Sequence, residues 1–585
     1  MSNFKPDKAS SIAKSLFLGS IVEENLYPFP SFSKEEKEIL ETVGSTLKRF
    51  MESKQEVFKE YDIKGEQPAE YIDSLKELGL FGLIISEQYG GIGLSNAGYS
   101  RVVEESAFWD ASTTLTIGAH SSIGMRGILL FGTEQQKKRY LPKLATGEMI
   151  AAFCLTEASA GSDAASIKTE AVKQSDGSWI LNGEKIWITN GPIADLYTVF
   201  ARTQSEKGKL SAFIVERKWE GVTTGEKEDK MGIRASATSS VAFKDVRVPR
   251  ENLLGEEGKG FKIAMSILNN GRTGLGGGCI GGMKRAISLA AQYAASRKQF
   301  KRPIAEFQLI KEKIANMTVK CFATESVVRM VAYYIDNKFE DFAVEAAISK
   351  VFSSEALWYS VNEALQIAGG NGYMRDYPYE RMVRDSRINL IFEGTNEILR
   401  LFIALSGFKE AGKYLKEVGE QAANLFNDPI KGFGVLSSYA AKKLAQLTSI
   451  GIDKISFASS PNLRQYAQLL EWHVVWFSRA VEAILRKHGT NVVGKQLISK
   501  RIANTAISLY VGLCVLSRLA TRLSKDISNE ERETLELIAS IFFNQIKRDI
   551  TQNLRKLDAN EDKDISKLSD LIVSSGEYPF DLLDN

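Results

Sequence analysis

The periodicity of this chain changes twice, and that change constrains the fold more than any single motif. From about Ala151 to Gly255, short runs rich in β-branched and aromatic residues follow one another: "SWIL", "KIWIT", "LYTVFAR", "LSAFIVER" and "SSVAFKDVRV". Asp176-Gly177 precedes the first run and Asn182-Gly183 the second. Both dipeptides signal hairpin turns, because their residues tolerate positive φ. A small antiparallel sheet domain is expected here. On either side the period is helical. "KEEKEILETVGSTLKRFMES" spaces its apolar residues three and four apart, and the pattern continues to about Gly147. Helical character returns from Gly260 to Leu405, where "AAISKVFSSEALWYSVNEALQIAG" ends in a glycine stop. A further, mostly helical stretch follows Gly407, interrupted around Asn427-Asp428-Pro429 and across "GIDKISFASSPN". The expected architecture is α+β in four blocks: helical over 1–150, β-rich over 151–256, helical over 257–407 and a helical extension over 408–585.

Bulk properties exclude several function classes. With 75 basic and 72 acidic residues the charge is nearly balanced, so nothing argues for nucleic acid. No apolar run approaches the roughly 18 residues of a membrane span. Cys154, Cys279, Cys321 and Cys514 lie far apart with no CxxC pair, which argues against a zinc site or a disulfide framework. His120, His473 and His488 are few and scattered, so structural or surface roles are expected and no metal site. The N-terminal "MSNFKPDKASSIAKSLFLGS" has no secretory apolar region, and with Asp7 and no arginine it is a poor transit peptide. A cytoplasmic, bacterial-type protein is expected.

Four stretches hold candidate chemistry. "GGGCIG" from Gly276 satisfies a dinucleotide pattern, but a helical segment precedes it and a basic one follows. A close-packed helix face is the better reading. "AFCLTEASAGSDAASIKTEA" gathers hydroxyls, Thr156 and Ser162 among them, where the first helical block meets the sheet block. In "KIWITNG", Trp187 and Thr189 lie two apart in a strand and share a face. They form either a core pair or a platform with a hydroxyl for a flat heteroaromatic ligand. In "RINLIFEGTNEILRLF", Glu393 follows the apolar run Leu390-Ile391-Phe392, where a carboxylate is not expected without a task.

Together with "DVRVPRENLLGEEGKGF", "LNNGR", "SRKQF" and "QIAGGNGYMRDYP", the last three stretches closely resemble the acyl-CoA dehydrogenase family, in the family's order. The extension, through "NVVGKQLISKRIANTAISLYVGLCVLSRLA", and the early "LYPFPSFS" are similar to the very-long-chain members. The resemblance implies a helical domain, a barrel-like β domain, a four-helix-bundle domain and an added C-terminal helical domain. It implies FAD as cofactor and oxidation of long or very-long-chain acyl-CoA to trans-2-enoyl-CoA, the first step of fatty acid β-oxidation. Electrons would pass to an electron-transfer flavoprotein. The same fold also serves acyl-CoA oxidases that use oxygen, and a respiratory-complex assembly factor.

Carried over by motif, Glu393 is the expected base that takes the α-proton. Phe153, Leu155, Thr156, Ser162, Trp187, Ile188 and Thr189 are expected on the flavin. Arg297, Gln299, Phe307 and Gln308 would reach FAD from a second subunit of a homodimer. Gln366, Gly369 and Gly370 would meet its adenosine or pyrophosphate part, and Thr395 and Glu397 would meet it beside the base. Ser162, Asn269, Arg272 and Gly394 would contact substrate. Gly124 and Gly127, three apart on one helix face, would keep an acyl tunnel open, or else serve a close crossing. "GVLSSYAAKKLAQLTSIGI", with Lys442 and Lys443, leaves two readings open: a weak peripheral membrane contact or a solvated helix face. Two positions depart from the family: Ala158 stands where proline is common, and Lys301 where glycine is usual.

Overall fold

The computed structural model describes residues 8–204, 209–423, 454–458 and 460–582. They divide into two compact units. The larger holds residues 24–399, with 8–11 and 514–538 added.

Within the larger unit the leading helices begin on side-chain caps. Ser33 accepts from the Glu36 amide to start Lys34–Ser53, and Ser95 caps Asn96–Trp109. A reciprocal Thr133–Gln136 capping box starts Glu134–Thr146. Each cap satisfies an amide that has no partner inside its helix.

The sheet has eight strands: β1 (Ala151–Cys154), β2 (Glu170–Lys173), β3 (Trp179–Thr189), β4 (Leu196–Gln204), β5 (Lys209–Glu216), β6 (Val222–Thr224), β7 (Thr238–Val248) and β8 (Leu253–Leu254). Their order is β6-β7-β3-β2-β4-β5-β8, with β1 also on β4. The purely antiparallel sheet expected from the turn signals is corrected, because β1 and β2 both run parallel to β4. A parallel pair needs a long connection, and the segment between β1 and β4, which includes the β2–β3 hairpin, supplies it. Asp176-Gly177 does lie in the connection between β2 and β3. Asn182-Gly183 does not turn the chain: it sits inside β3 at a register irregularity against β7. There Asn182 exchanges hydrogen bonds with Asp245 of β7 at 3.1 and 2.8 Å. A Cβ on Gly183 would fall 2.4 Å from the Thr169 hydroxyl. The glycine serves a bulge and a close approach.

The helices after the sheet are Gly260–Ser296, Gln308–Asp336 and Ala343–Ala368, followed by Tyr379–Arg387 and the start of Asn396–Ala423. "GGGCIG" lies mid-helix in the first of these. Added Cβ atoms at Gly277 and Gly281 would strike the carbonyls of Ser100 and Glu104 at 2.4 and 2.1 Å. These glycines permit a close helix crossing. Ala343–Ala368 ends at Gly369, whose φ is 60°, as the glycine stop suggested.

The smaller unit comprises residues 12–23, 400–513 and 539 onward. Phe17 from the short Ile12–Phe17 helix meets Phe477 edge-on at 4.8 Å, and Tyr466 stacks on Phe543 at 4.5 Å. Arg501 clamps Asp562 with both guanidinium ends, at 2.7 and 2.5 Å. Among the described residues one helix, Gln496–Leu523, is long and apolar enough to cross a membrane, and 83% of its most apolar window is buried. The Gly434–Ile452 segment, with Lys442 and Lys443, lies outside the described residues, as does Asn427-Asp428-Pro429.

Candidate active site

Two of the quoted stretches meet on β3. The Ile186 amide donates to the carbonyl of Thr156 at 3.0 Å, so the loop after β1 lies along β3 beside Trp187. Lys185, wholly buried, donates to Leu155 O at 3.1 Å and to Glu157 at 2.7 Å. Glu157 also accepts from the amides of Lys168 and Thr169 and from the Thr169 hydroxyl, at 2.6, 2.9 and 2.5 Å. These donors hold its carboxyl below the usual range against the opposing effect of burial.

Trp187 itself is left-handed, with φ 55°, at the second irregularity of β3. The residue is 65% exposed. An indole so exposed on a rigid strand is a platform for a flat partner. Thr189, two residues on, is half-buried, as are Phe153 of β1 and Thr156 of the loop after it; Ser162 is exposed, and Phe153 rests on Phe200 at 5.0 Å. Leu155 and Ile188 are buried in the core, so any contact they make with a flavin falls to the backbone. The donor set fits an isoalloxazine: an aromatic face, two hydroxyls and main-chain groups.

Glu393 lies between the Tyr379–Arg387 helix and the helix starting at Asn396, after a tight turn over Ile388–Leu390. The apolar run before it is only partly covered, with Ile391 exposed just after that turn. Desolvation comes from the surrounding helices. Glu393 Oε2 is buried with no hydrogen-bond partner. Burial raises the carboxyl above its ordinary value, while Arg272 and Lys350 nearby oppose that rise.

Both cations bond main-chain oxygens in this segment. Arg272 donates to Glu393 O at 3.4 Å and to Asn269 Oδ1 at 2.6 Å. Lys350 donates to Gly394 O at 2.8 Å. The two carbonyls belong to consecutive left-handed residues, Glu393 at φ 55° and Gly394 at φ 92°. A left-handed glutamate is strained by about 1–2 kcal/mol. At Gly394 a Cβ would press on Leu399 at 3.2 Å. Thr395 caps the next helix by accepting from Ile398 N at 3.3 Å, and Glu397 is exposed. No acceptor among the described residues takes the Glu393 N–H.

The remaining predicted FAD contacts gather elsewhere, at one end of the bundle. Asn371, in the turn after Gly370, donates to the Tyr293 hydroxyl at 3.3 Å, one turn before Arg297. Arg297, Gln299, Gln308, Gln366, Gly369 and Gly370 are all exposed there, and the Phe307 ring takes Arg302 on its face at 4.2 Å. Lys301 does not disturb the hairpin Lys298–Gln299/Arg302–Pro303. Phe300 and Lys301 take φ 50° and 67° as its two turn residues.

Gly124 and Gly127 do not share one uniform helix. Gly124 ends a π-helical turn, Ala119–Gly124, and Gly127 belongs to Arg126–Phe131. A Cβ at Gly124 would lie 2.7 Å from the Ala151 carbonyl, and one at Gly127 2.8 Å from Leu254. At both positions the space a side chain would enter is filled by protein atoms, which supports the close-crossing alternative. His120 is buried and pushed down to about 4 by desolvation, and its Nδ1 accepts from Ala151 N at 3.0 Å, which is a structural role. No group of metal-ligating side chains exists among the described residues.

Sequence reasoning missed Lys185, Glu157, Lys350 and Asn396. For the two lysines, a charge within a largely apolar run, as in "AISKVF" or "KIWI", was the available signal.

The chain matches known proteins domain by domain. Residues 33–148, 152–246 and 258–407 match the N-terminal, middle and C-terminal domains of acyl-CoA dehydrogenases. Residues 461–578 match the C-terminal domain shared by ACAD9 and ACADV. The chain is 44% identical over 543 residues to the mitochondrial very long-chain specific acyl-CoA dehydrogenases of Macaca fascicularis and of Homo sapiens, covering 91% of itself and 82% of each. An acyl-CoA dehydrogenase from Bacillus anthracis, solved in complex with FAD, superposes with a TM-score of 0.80 at 33% identity, over 98% of this chain and 97% of that one. The chain belongs to the acyl-CoA dehydrogenase family and is an FAD-dependent oxidoreductase of it.

Proposed function

We propose that this enzyme dehydrogenates long and very-long-chain acyl-CoA thioesters to trans-2-enoyl-CoA, with Glu393 as the base. The observation that carries the assignment is the buried, unpartnered Glu393 Oε2. A carboxylate kept without donors retains the lone pair that an α-proton needs. A thioester α-proton is a very weak acid, so the developing enolate oxygen needs aimed donors. The Glu393 N–H, without an acceptor among the described residues, is available for that task. Gly394 supplies the left-handed turn beside the base, and Arg272, bonded to Asn269, would line the approach. When bound, FAD supplies the two-electron acceptor for the hydride that leaves Cβ. Trp187, Thr156 and Thr189 would hold its ring system, and the exposed Ser162 would meet flavin or substrate.

The preference for long chains rests on similarity to the very-long-chain relatives through the extension. An electron-transfer flavoprotein as acceptor rests on the motif resemblance. A homodimer has further support. Phe300, Leu309 and Tyr373 are 88%, 72% and 81% exposed at the same end as Arg297 and Gly370. Such a patch beside half of a cofactor site suits a second copy.

The test is anaerobic addition of palmitoyl-CoA to the flavin-loaded enzyme. Loss of the flavin's visible absorbance is expected, with Glu393→Gln still binding the thioester while reduction slows by about 10²–10⁴-fold. An unchanged spectrum at full FAD occupancy overturns the reading. Peroxide release in air, matching substrate loss, would assign an oxidase instead.

A further inference from the structure

We propose that Lys350 is a positioning residue of the reaction, holding the Glu393-Gly394 backbone in its left-handed conformation and supplying one of two positive charges beside the base. The inference rests on Glu393 being the base.

Lys350 comes from the middle of Ala343–Ala368 and is 0% exposed. Its ammonium donates to Gly394 O and to Asn396 Oδ1, both at 2.8 Å. Both acceptors are neutral. A buried ammonium bonded only to neutral oxygens is expensive, and fold stability alone gives no reason to keep one. Asn396 is in turn fixed by its amide, which donates to Ser354 Oγ at 3.0 Å and Glu355 Oε1 at 3.2 Å. Its oxygen must therefore face Lys350. One helix face, through Lys350, Ser354 and Glu355, thus clamps residues 394 and 396 on either side of Thr395.

The clamp falls on the strained segment. Left-handed backbone at Glu393 persists only where neighbours over-determine it. Arg272 takes the first carbonyl and Lys350 the second. Losing Lys350 frees the Gly394 carbonyl and leaves one cation on one side.

The charges around Glu393 come from three elements. Gly260–Ser296 brings Arg272 and the Cys279 thiol, Asn96–Trp109 brings the Tyr99 phenol, and Ala343–Ala368 brings Lys350 with Glu355 behind it. Of these, only Arg272 and Lys350 are positive. Burial lowers Lys350 to about 8 and Arg272 to about 10, so both are charged at neutral pH. Each favours the ionised base, against the desolvation that favours its acid form.

The experiment measures the pH dependence of steady-state oxidation of palmitoyl-CoA by the flavin-loaded protein with an artificial electron acceptor. The wild type is compared with Lys350→Met, Lys350→Gln and Lys350→Arg, and FAD content and thermal stability are followed in each. For Lys350→Met we expect bound FAD, a KM within about threefold and a kcat lowered about 10–100-fold. The acid limb of kcat should move up by about one pH unit, because removing a neighbouring cation makes the base harder to ionise. Lys350→Gln keeps a donor without the charge. It should show the same shift with a smaller loss of kcat, and it serves if the methionine variant loses FAD. Lys350→Arg should return the limb to its wild-type position. Limbs that coincide in all four proteins, or an arginine variant shifted as far as the methionine one, overturn the proposal. Turnover that survives Glu393→Gln overturns the assignment of the base instead.

Discussion

Lys185 on β3 and Glu157 in the loop after β1 form a buried ion pair at 2.7 Å, 28 residues apart in sequence. The same ammonium holds Leu155 O, so one side chain anchors both residues that flank Thr156. Glu157 remains ionised because three further donors from Lys168 and Thr169 surround it.

Lys185→Met should therefore do more than lose a contact. It leaves a buried carboxylate without its cation and the Leu155 carbonyl without a donor. About 3–5 kcal/mol of destabilisation is expected, with loss of FAD on gel filtration as the loop lifts from β3. Adding Glu157→Gln should recover part of the stability by removing the orphaned charge. Full flavin content in Lys185→Met would show that the loop is held by other means.

Asp385 gives a pH dependence of a different kind. It lies on the Tyr379–Arg387 helix and accepts from the Ile233 amide. Burial lifts its carboxyl to about 7 against Arg381 and the Ile233 bond, and Asp110 and Asp62 add to the rise. The folded state thus keeps a proton that the unfolded chain releases near pH 4. Stability from this group is complete below pH 4 and falls toward pH 7 by on the order of 1 kcal/mol per pH unit. Asp385→Asn retains the acceptor and cannot ionise. Its melting temperature should exceed the wild type's above neutral pH and converge with it in acid. Parallel melting curves across that range would mean that the carboxyl is not kept protonated.

What could be read from the sequence was local chemistry, and what could not was which distant group completes it. Asp176-Gly177 and Asn182-Gly183 carry the same turn signal. The first turns the chain, whereas the second becomes a bulge because Asp245 of β7 bonds Asn182 across the sheet. Glu393 stood out because a carboxylate after an apolar run is locally anomalous. Lys350 did not, because a helical lysine ordinarily reaches water. Only the crossing that brings it to Gly394, 44 residues away, reveals its task. The helical blocks were legible because their periodicity repeats over many turns. The parallel placement of β1 and β2 beside β4 was not, since strand order has no periodicity to read.

The hairpin turn at Phe300-Lys301 offers a stabilising change. Lys301 holds φ 67°, where a side chain is strained and glycine is not. Lys301→Gly should raise stability by up to about 1 kcal/mol, less the entropy glycine adds to the unfolded chain. Limited proteolysis at Lys298 and Lys301 in the intact protein would report it as slower cleavage at Lys298. Faster cleavage would mean that Lys301 contributes more through its side chain than its backbone costs.

Gly124 and Gly127 permit a decision between packing and an open tunnel. At Gly124 an added methyl meets the Ala151 carbonyl, which is backbone of β1 and cannot rotate away. At Gly127 it meets the flexible ends of Leu254 and Ile267, at 2.8 and 3.1 Å. Gly124→Ala should therefore destabilise by about 1–3 kcal/mol, and Gly127→Ala by less. If packing is their whole role, KM changes alike for octanoyl-CoA and palmitoyl-CoA, following the loss of stability. If the glycines also clear the acyl path, palmitoyl-CoA weakens selectively, and more so in Gly127→Val, while octanoyl-CoA is spared. The contacts at both positions favour the first outcome, because the space that each Cβ would enter is already occupied by protein atoms.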